Sequence, residues 1–218
     1  MASPVVRQFG GARRRLIEEL QGKGIHDLSV LNAFDVVPRH LFVPTGVQHR
    51  AYEDTPLPIG HGQTISQPWV HAKYLELLAL TGREKVLEVG TGSGFQTALL
   101  AKLAERVFSI ERVSALAVQA RDALRECGIE RVVQKVGDGT LGWPEEAPFD
   151  AILVGAASPS VPQPLIDQLA EGGQLLIPIG GREEQALVRV RRTAKGIERT
   201  SFDVMRFVPL IGIHGFEE

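Results

Sequence analysis

The sequence predicts an α/β protein, a doubly wound and mostly parallel sheet with an N-terminal helical lobe. Three observations lead there. Val86 to Gln96 reads VLEVGTGSGFQ, an apolar run that enters glycines at alternate positions and leaves as TALLAKLAERV, with apolar residues at helical spacing. Strand-like runs and helical stretches then alternate as far as Ile179, the pattern of a parallel sheet covered by helices. Phe149 to Val154, FDAILV, is almost continuously apolar, as a strand buried on both faces must be.

With 218 residues, 44% hydrophobic content and a formal net charge of -2, the chain fits one globular domain with a substantial core. A helical lobe and loop would occupy about residues 12–80 and the α/β core 81–218. The near-neutral balance argues against extended nucleic-acid binding. Two basic clusters, Arg13 to Arg15 and Arg189, Arg191 and Arg192, read as solvated faces. The opening MASPVVRQFGGARRR lacks the apolar core of a secretory signal, and no stretch is long enough to span a membrane, so a cytoplasmic location and no membrane partner are expected. Cys127 is the only cysteine, and the six histidines show no H-x-x-x-H pairing with acids, so no metal is expected. A monomer is expected.

Taken in order, Ala12 to Gln21 places Leu16, Ile17 and Leu20 on one helical face, closed by Gly22 and Gly24. Asp27 to Val37 places Leu28, Leu31 and Phe34 on another, and Pro38 ends it. Pro38 to Pro68 shows no sustained period. Tyr52, Leu57, Ile59 and Ile65 supply anchors, which argues for an ordered loop rather than a disordered one. Its Gly60 to Gln67 part, GHGQTISQ, offers neutral hydrogen-bonding groups at Gln63, Thr64, Ser66 and Gln67, and reads either as a ligand loop or as an exposed turn. Pro68 to Leu80 is a helix with proline at its start and Val70, Tyr74, Leu77 and Leu78 on one face. Val107 to Glu111 is the second strand of the core. Ser114 to Cys127 is an amphipathic helix with Leu116, Val118 and Leu124 inward, ended by Gly128. Val132 to Val136 is a strand, a short helix spans Pro164 to Leu169, and a Gly172-Gly173 turn leads into a strand from Gln174 to Ile179. Ala186 to Arg192 and Phe202 to Leu210 would pair at the sheet edge. The sum is a Rossmann-like arrangement.

The glycine loop carries the chemistry. Gly90, Gly92 and Gly94 accept positive φ and let a ligand reach the backbone, and the following helix N-terminus offers unpaired N–H groups. Glu111 follows Gly90 by 21 residues, the distance at which a β-α-β site places an acid against ribose hydroxyls. The dinucleotide spacing fails, because Phe95 holds the last position of G-x-G-x-x-G/A. What stands here is E-x-G-x-G-x-G, with Glu88 before the first glycine; it resembles the cofactor loop of class I methyltransferases that use S-adenosylmethionine. A carboxylate beside the loop suits an ammonium and a sulfonium better than a pyrophosphate. A glycine turn of any α/β protein is the plainer alternative for the loop alone. Gly137-Asp138-Gly139 reaches the same sheet edge, where Asp138 could accept from an adenine amine or form an ordinary Asp-Gly turn.

In order and spacing, AYEDTPLPIGHGQTISQP, VLEVGTGSGFQTALLA, GDG, APFDAILVGAA, PLIDQLAEGGQLLIPIG and RFVPL resemble the protein-L-isoaspartate O-methyltransferase family over about Leu16 to Leu210. That resemblance implies Ser66 as the active-site residue, with Gln63, Thr64 and Val208 beside it on the substrate. It implies that Glu88, Gly90, Thr91, Gly92, Ser93 and Gly94 hold S-adenosyl-L-methionine, with Glu111, Arg112, Asp138 and Gly139. The expected substrates are isoaspartyl-containing proteins and peptides, methylated on the α-carboxylate and repaired through a succinimide. Residue types agree: a carboxyl with a pKa of about 4 is already ionised at neutral pH and needs no general base. A hydroxyl acceptor would need one, and the loop offers only His61. A methyltransferase for another acceptor and an S-adenosylmethionine sensor remain the competing readings.

Overall fold

The computed structural model describes residues 9–217. The MASPVVRQ stretch, on which the reading of no leader partly rests, lies outside the described residues, as does Glu218.

The lobe is built first. Helix α1 (Gly10–Gly22) buries Leu16 and Leu20. Helix α2 (Leu28–Val36) starts on Asp27, whose side chain accepts from the N–H groups of Ser29 and Val30. Two expectations are corrected here. Leu28 is 75% exposed, because the first helical position faces outward while Val30, Leu31, Ala33 and Phe34 turn in. Arg13 is buried rather than solvated: it donates to the Asp35 carbonyl and the Tyr52 hydroxyl, and its guanidinium lies 5.7 Å from the Tyr52 ring centre. The Asp35 carbonyl belongs to the last turn of α2, where a cation is favoured.

The stretch expected as loop holds two 3-10 turns, Arg39–Phe42 and Thr45–Arg50, and then a small hairpin. Strands β1 (Leu57–Gly60) and β2 (Gln63–Ile65) pair antiparallel, with Gly60, His61 and Gly62 all at positive φ in the connection. Tyr52, Leu57, Ile59 and Ile65 are buried as the anchors. Helix α3 (Pro68–Leu78) follows, begun by Pro68 and closed by a left-handed Ala79.

The core adds β3 (Lys85–Val89), α4 (Phe95–Leu103), β4 (Arg106–Glu111), α5 (Ser114–Glu126), β5 (Val132–Val136), β6 (Phe149–Val154), α6 (Gln163–Asp167), β7 (Leu169–Gly180), β8 (Gln185–Thr193) and β9 (Gly196–Met205). The sheet runs β5-β4-β3-β6-β7-β8-β9, parallel through β7 and antiparallel beyond it. Side chains alternate across it: Val86 joins the core under the lobe, while its neighbour Leu87 joins the core of the other face with Phe108 and Phe149. The strand order reverses beside β3, where β4 lies on one side and β6 on the other. Ligands of open α/β sheets bind in the crevice beyond the carboxyl ends of such strands.

Three further expectations give way. Val118 of α5 is 51% exposed, since Leu116, Ala117, Ala120 and Leu124 fill the inward stripe. The Gly172-Gly173 pair lies within β7, not before it, at the point where the pairing with β6 jumps from Phe149 opposite Leu169 to Ala151 opposite Gln174. The final strand begins earlier than Phe202 and ends before RFVPL, which instead returns to the crevice: Ala157 N donates to Val208 O at 2.8 Å and Leu210 N donates to Ala157 O.

Asp27→Ala removes the cap of α2 and should lower stability in urea by about 1 kcal/mol, whereas Leu28→Ser should stay within about 0.5 kcal/mol of the parent. A large loss for Leu28→Ser would restore the inward placement that the pattern suggested.

Candidate active site

The crevice has three walls. The first is the turn from β3 to α4. Gly90, Gly92 and Gly94 have φ of 93°, 53° and 86°. The turn is tied to β4, with Gly90 N donating to Ile110 O at 2.8 Å and Gly92 N to Glu111 Oε2 at 2.8 Å. Gly94 is required twice, by its φ and because a Cβ there would stand 3.1 Å from that of Ala120. Val113 N donates to the other oxygen of Glu111. The carboxylate is thus fixed by two backbone N–H groups at the end of β4 while it lines the cavity, which leaves lone pairs for a ligand hydroxyl.

Glu88 lies beneath the loop. It is fully buried, and its Oε2 accepts from Thr97 Oγ1 and from Ser109 Oγ at 2.6 Å. Its Oε1 has no hydrogen-bond partner among the described residues. Burial pushes its pKa up to about 8 against the pull of the two hydroxyls, with the Glu111 charge adding to the rise. Burial thus favours the neutral carboxyl over the carboxylate in the ligand-free site. Thr91, also expected at the cofactor, bonds Ser109 Oγ through its own hydroxyl and lines the cavity with Ser93 and Arg112.

The second wall is β2 and the start of α3. Gln63, Thr64, Ile65 and Ser66 line the cavity, with Val70, His71 and Tyr74 following. His71 and Gln96 were not singled out in the sequence; the ring Nδ1 meets Gln96 Oε1. Burial, with the Arg39 charge next, pulls His71 down to about 3, so it stays neutral. The available signal was a polar pair inside otherwise apolar helices. It carries no spacing that ties the two residues together across the fold.

The third wall is the returning C-terminal segment, Phe207 to Ile211. Asp138 holds the residues just beyond this segment. Its Oδ2 accepts from Ile213 N and its Oδ1 from Thr140 N, each at 2.8 Å. Burial raises its pKa, but these hydrogen bonds outweigh that and keep it ionised. Gly139 rather than Asp138 lines the cavity, and a Cβ on Gly139 would reach 2.4 Å from Val89 Cγ1. In this structure the Asp138 carboxylate ties Thr140 to Ile213 at the edge of the crevice.

A second hollow opens beside the first, lined by Pro56, Trp69, Val204 and Arg206. The two share Thr64, Ser66, Val70, Gly155, Phe207 and Val208. Ser66 therefore lines both the pocket over the glycine loop and the hollow beside it.

Residues 12–215 match the family model described as protein-L-isoaspartate(D-aspartate) O-methyltransferase. Protein-L-isoaspartate O-methyltransferase 1 of Syntrophobacter fumaroxidans is 53% identical over 210 residues, covering 96% of this chain and 98% of the relative. The Pseudomonas aeruginosa protein-L-isoaspartate O-methyltransferase is 52% identical over 200 residues, 91% of this chain and 95% of its own. A solved protein-L-isoaspartate O-methyltransferase superimposes with a TM-score of 0.85 at 28% identity, over 93% of this chain and 67% of that one. A putative one from Plasmodium falciparum, in complex with S-adenosyl-L-homocysteine, does so with a TM-score of 0.79 at 30% identity, over 91% and 98%.

The buried Glu88 makes stability depend on pH. Its pKa is raised from 4.5 to about 8 on folding, so the stabilisation present below pH 4.5 is lost as pH rises to about 8. Glu88→Gln should remove that slope, leaving the ligand-free variant more stable than the parent at pH 8 and equal to it near pH 4. Melting curves at the two pH values measure this, and parallel slopes would assign the pH dependence elsewhere.

Proposed function

Because this chain belongs to the protein-L-isoaspartate(D-aspartate) O-methyltransferase family, we propose that its crevice divides into a cofactor half over the glycine loop and an acceptor half on β2, with Ser66 between them. The enzyme transfers a methyl group from S-adenosyl-L-methionine to the α-carboxylate of L-isoaspartyl residues in damaged proteins, initiating their repair through a succinimide. The observation that carries the division is that Ser66, Thr64 and Val208 line both hollows.

The cofactor half suits its ligand in charge and shape. Glu111 presents a fixed carboxylate for ribose hydroxyls, Glu88 keeps an unpartnered oxygen for a cationic group, and the loop glycines place no Cβ in the way. Thr91, Ser93, Arg112 and Gly139 complete the lining, and Asp138 contributes by holding the 211–214 segment. When bound, the cofactor supplies a methyl carbon on a positively charged sulfur, an electrophile that a carboxylate oxygen takes directly.

The acceptor half needs no base, since the α-carboxylate is ionised well below pH 7. Gln63, Thr64 and Ser66 give it neutral hydrogen-bond donors that neither compete for its proton nor repel its charge. Val208 closes the other side. The contribution of these residues is alignment and exclusion of water, effects that reach roughly 7 to 11 kcal/mol in favourable cases. The same reading takes the enzyme as a single-domain cytoplasmic monomer acting on protein and not on nucleic acid; a net charge of -2 supports the last point. Among the described residues no helix is long and apolar enough to cross a membrane.

Two substitutions separate the halves. Ser66→Ala should lower turnover on an isoaspartyl peptide while cofactor affinity, read by calorimetry, stays nearly unchanged; loss of affinity instead would move Ser66 to the cofactor half. Glu111→Ala should weaken cofactor binding by about 1.5 to 3 kcal/mol. Unaltered binding would remove Glu111 from the ribose. The acceptor itself is checked with two peptides that differ in one normal or isomerised aspartyl linkage, where base-labile label should appear on the isomerised one alone.

A further inference from the structure

We propose that Arg39 is a positioning residue for methyl transfer, a buried cation that fixes the carbonyl of Ser66 and gives the acceptor carboxylate its positive surroundings. The inference rests on the placement of Ser66 in the acceptor half.

Arg39 opens the 3-10 turn after Pro38 and is 1% exposed, among the largest fully buried side chains of the protein. Its Nη2 donates to Ser66 O at 3.2 Å and to Thr55 O at 3.4 Å. These two carbonyls flank the β1–β2 hairpin on either side. The guanidinium also lies 5.2 Å from the ring centre of Phe95, the first residue of α4 after the glycine loop. One side chain thus joins both ends of the acceptor hairpin to the helix that begins the cofactor half.

Carbonyls alone do not call for a full charge here. Among the described residues no carboxylate lies within ion-pair distance of Arg39; Asp54 acts on it from farther off and is already paired with Lys23 at 2.6 Å. Among the described residues Nε and Nη1 of Arg39 have no hydrogen-bond partner. Burial pulls its pKa down to about 9, which still leaves it charged at neutral pH. Its neighbour His71 stays neutral, so the cation behind the Ser66 carbonyl is offset only by the more distant Asp54. Uncompensated buried charge is costly unless something supplies the opposite sign. The acceptor is an anion that comes to Ser66, and it supplies that sign only while bound.

The test uses the full chain with Arg39→Gln and Arg39→Lys, next to Ser66→Ala. Arg39→Gln should raise the KM for an isoaspartyl peptide by about tenfold, with the Kd for S-adenosyl-L-homocysteine within about twofold of the parent. Arg39→Lys keeps the charge but loses the planar fork, so KM should return toward the parent value while kcat stays low. If Arg39→Gln does not fold, the KM-against-kcat split of Arg39→Lys decides alone. Unchanged peptide KM and kcat in the folded variants, or a cofactor Kd that rises in step with peptide KM, overturns the inference and leaves Arg39 a packing residue. Should Ser66→Ala leave turnover intact, the acceptor placement itself fails, which is a separate reading from either Arg39 result.

Discussion

The constraint on which the molecule depends is the reversal of the chain between β3 and α4. Within five residues the backbone leaves the centre of the sheet, passes three left-handed glycines and starts a helix that packs as close to α5 as a missing Cβ allows. Hydrogen bonds from Gly90 and Gly92 to the end of β4 hold this turn flat against the neighbouring strand. From that follow the open backbone over which a ligand lies, the placement of Glu111, and the helix α4 that receives the lobe through Phe34 and Phe42 against Phe95. A side chain at Gly94 would disturb the cofactor wall and the seat of the lobe together.

Where local chemistry decides, the sequence is legible. The strand at Phe149 to Val154 begins and ends where the apolar run does, because a buried strand has nothing to contribute but its own side chains. The hairpin at Leu57–Gly60 and Gln63–Ile65 was not legible as strands: it is too short to show a period, and its pairing depends on three successive residues with positive φ. Leu28 and Val118 show the opposite failure, apolar residues that fit a stripe on paper and face solvent in the fold.

The site divides in the same way. Glycine spacing and the distance to Glu111 express a local β-α-β geometry, so the turn and the acid at the end of β4 could be read directly. The protonation of Glu88 could not, since it depends on burial that only the assembled sheet creates. Nor could the contact of Arg39 with Ser66, 27 residues away, or that of Asp138 with Ile213, 75 residues away. Long-range polar contacts leave no period in a sequence.

The hold of Asp138 on the 211–214 segment has a consequence for how the enzyme comes into being. The wall that leads into this segment, Phe207 to Ile211, is translated after every strand of the sheet, so a chain still emerging from the ribosome can have its sheet in place and yet lack one side of its crevice. The crevice is complete only once the residues that follow the last strand have folded back onto the sheet.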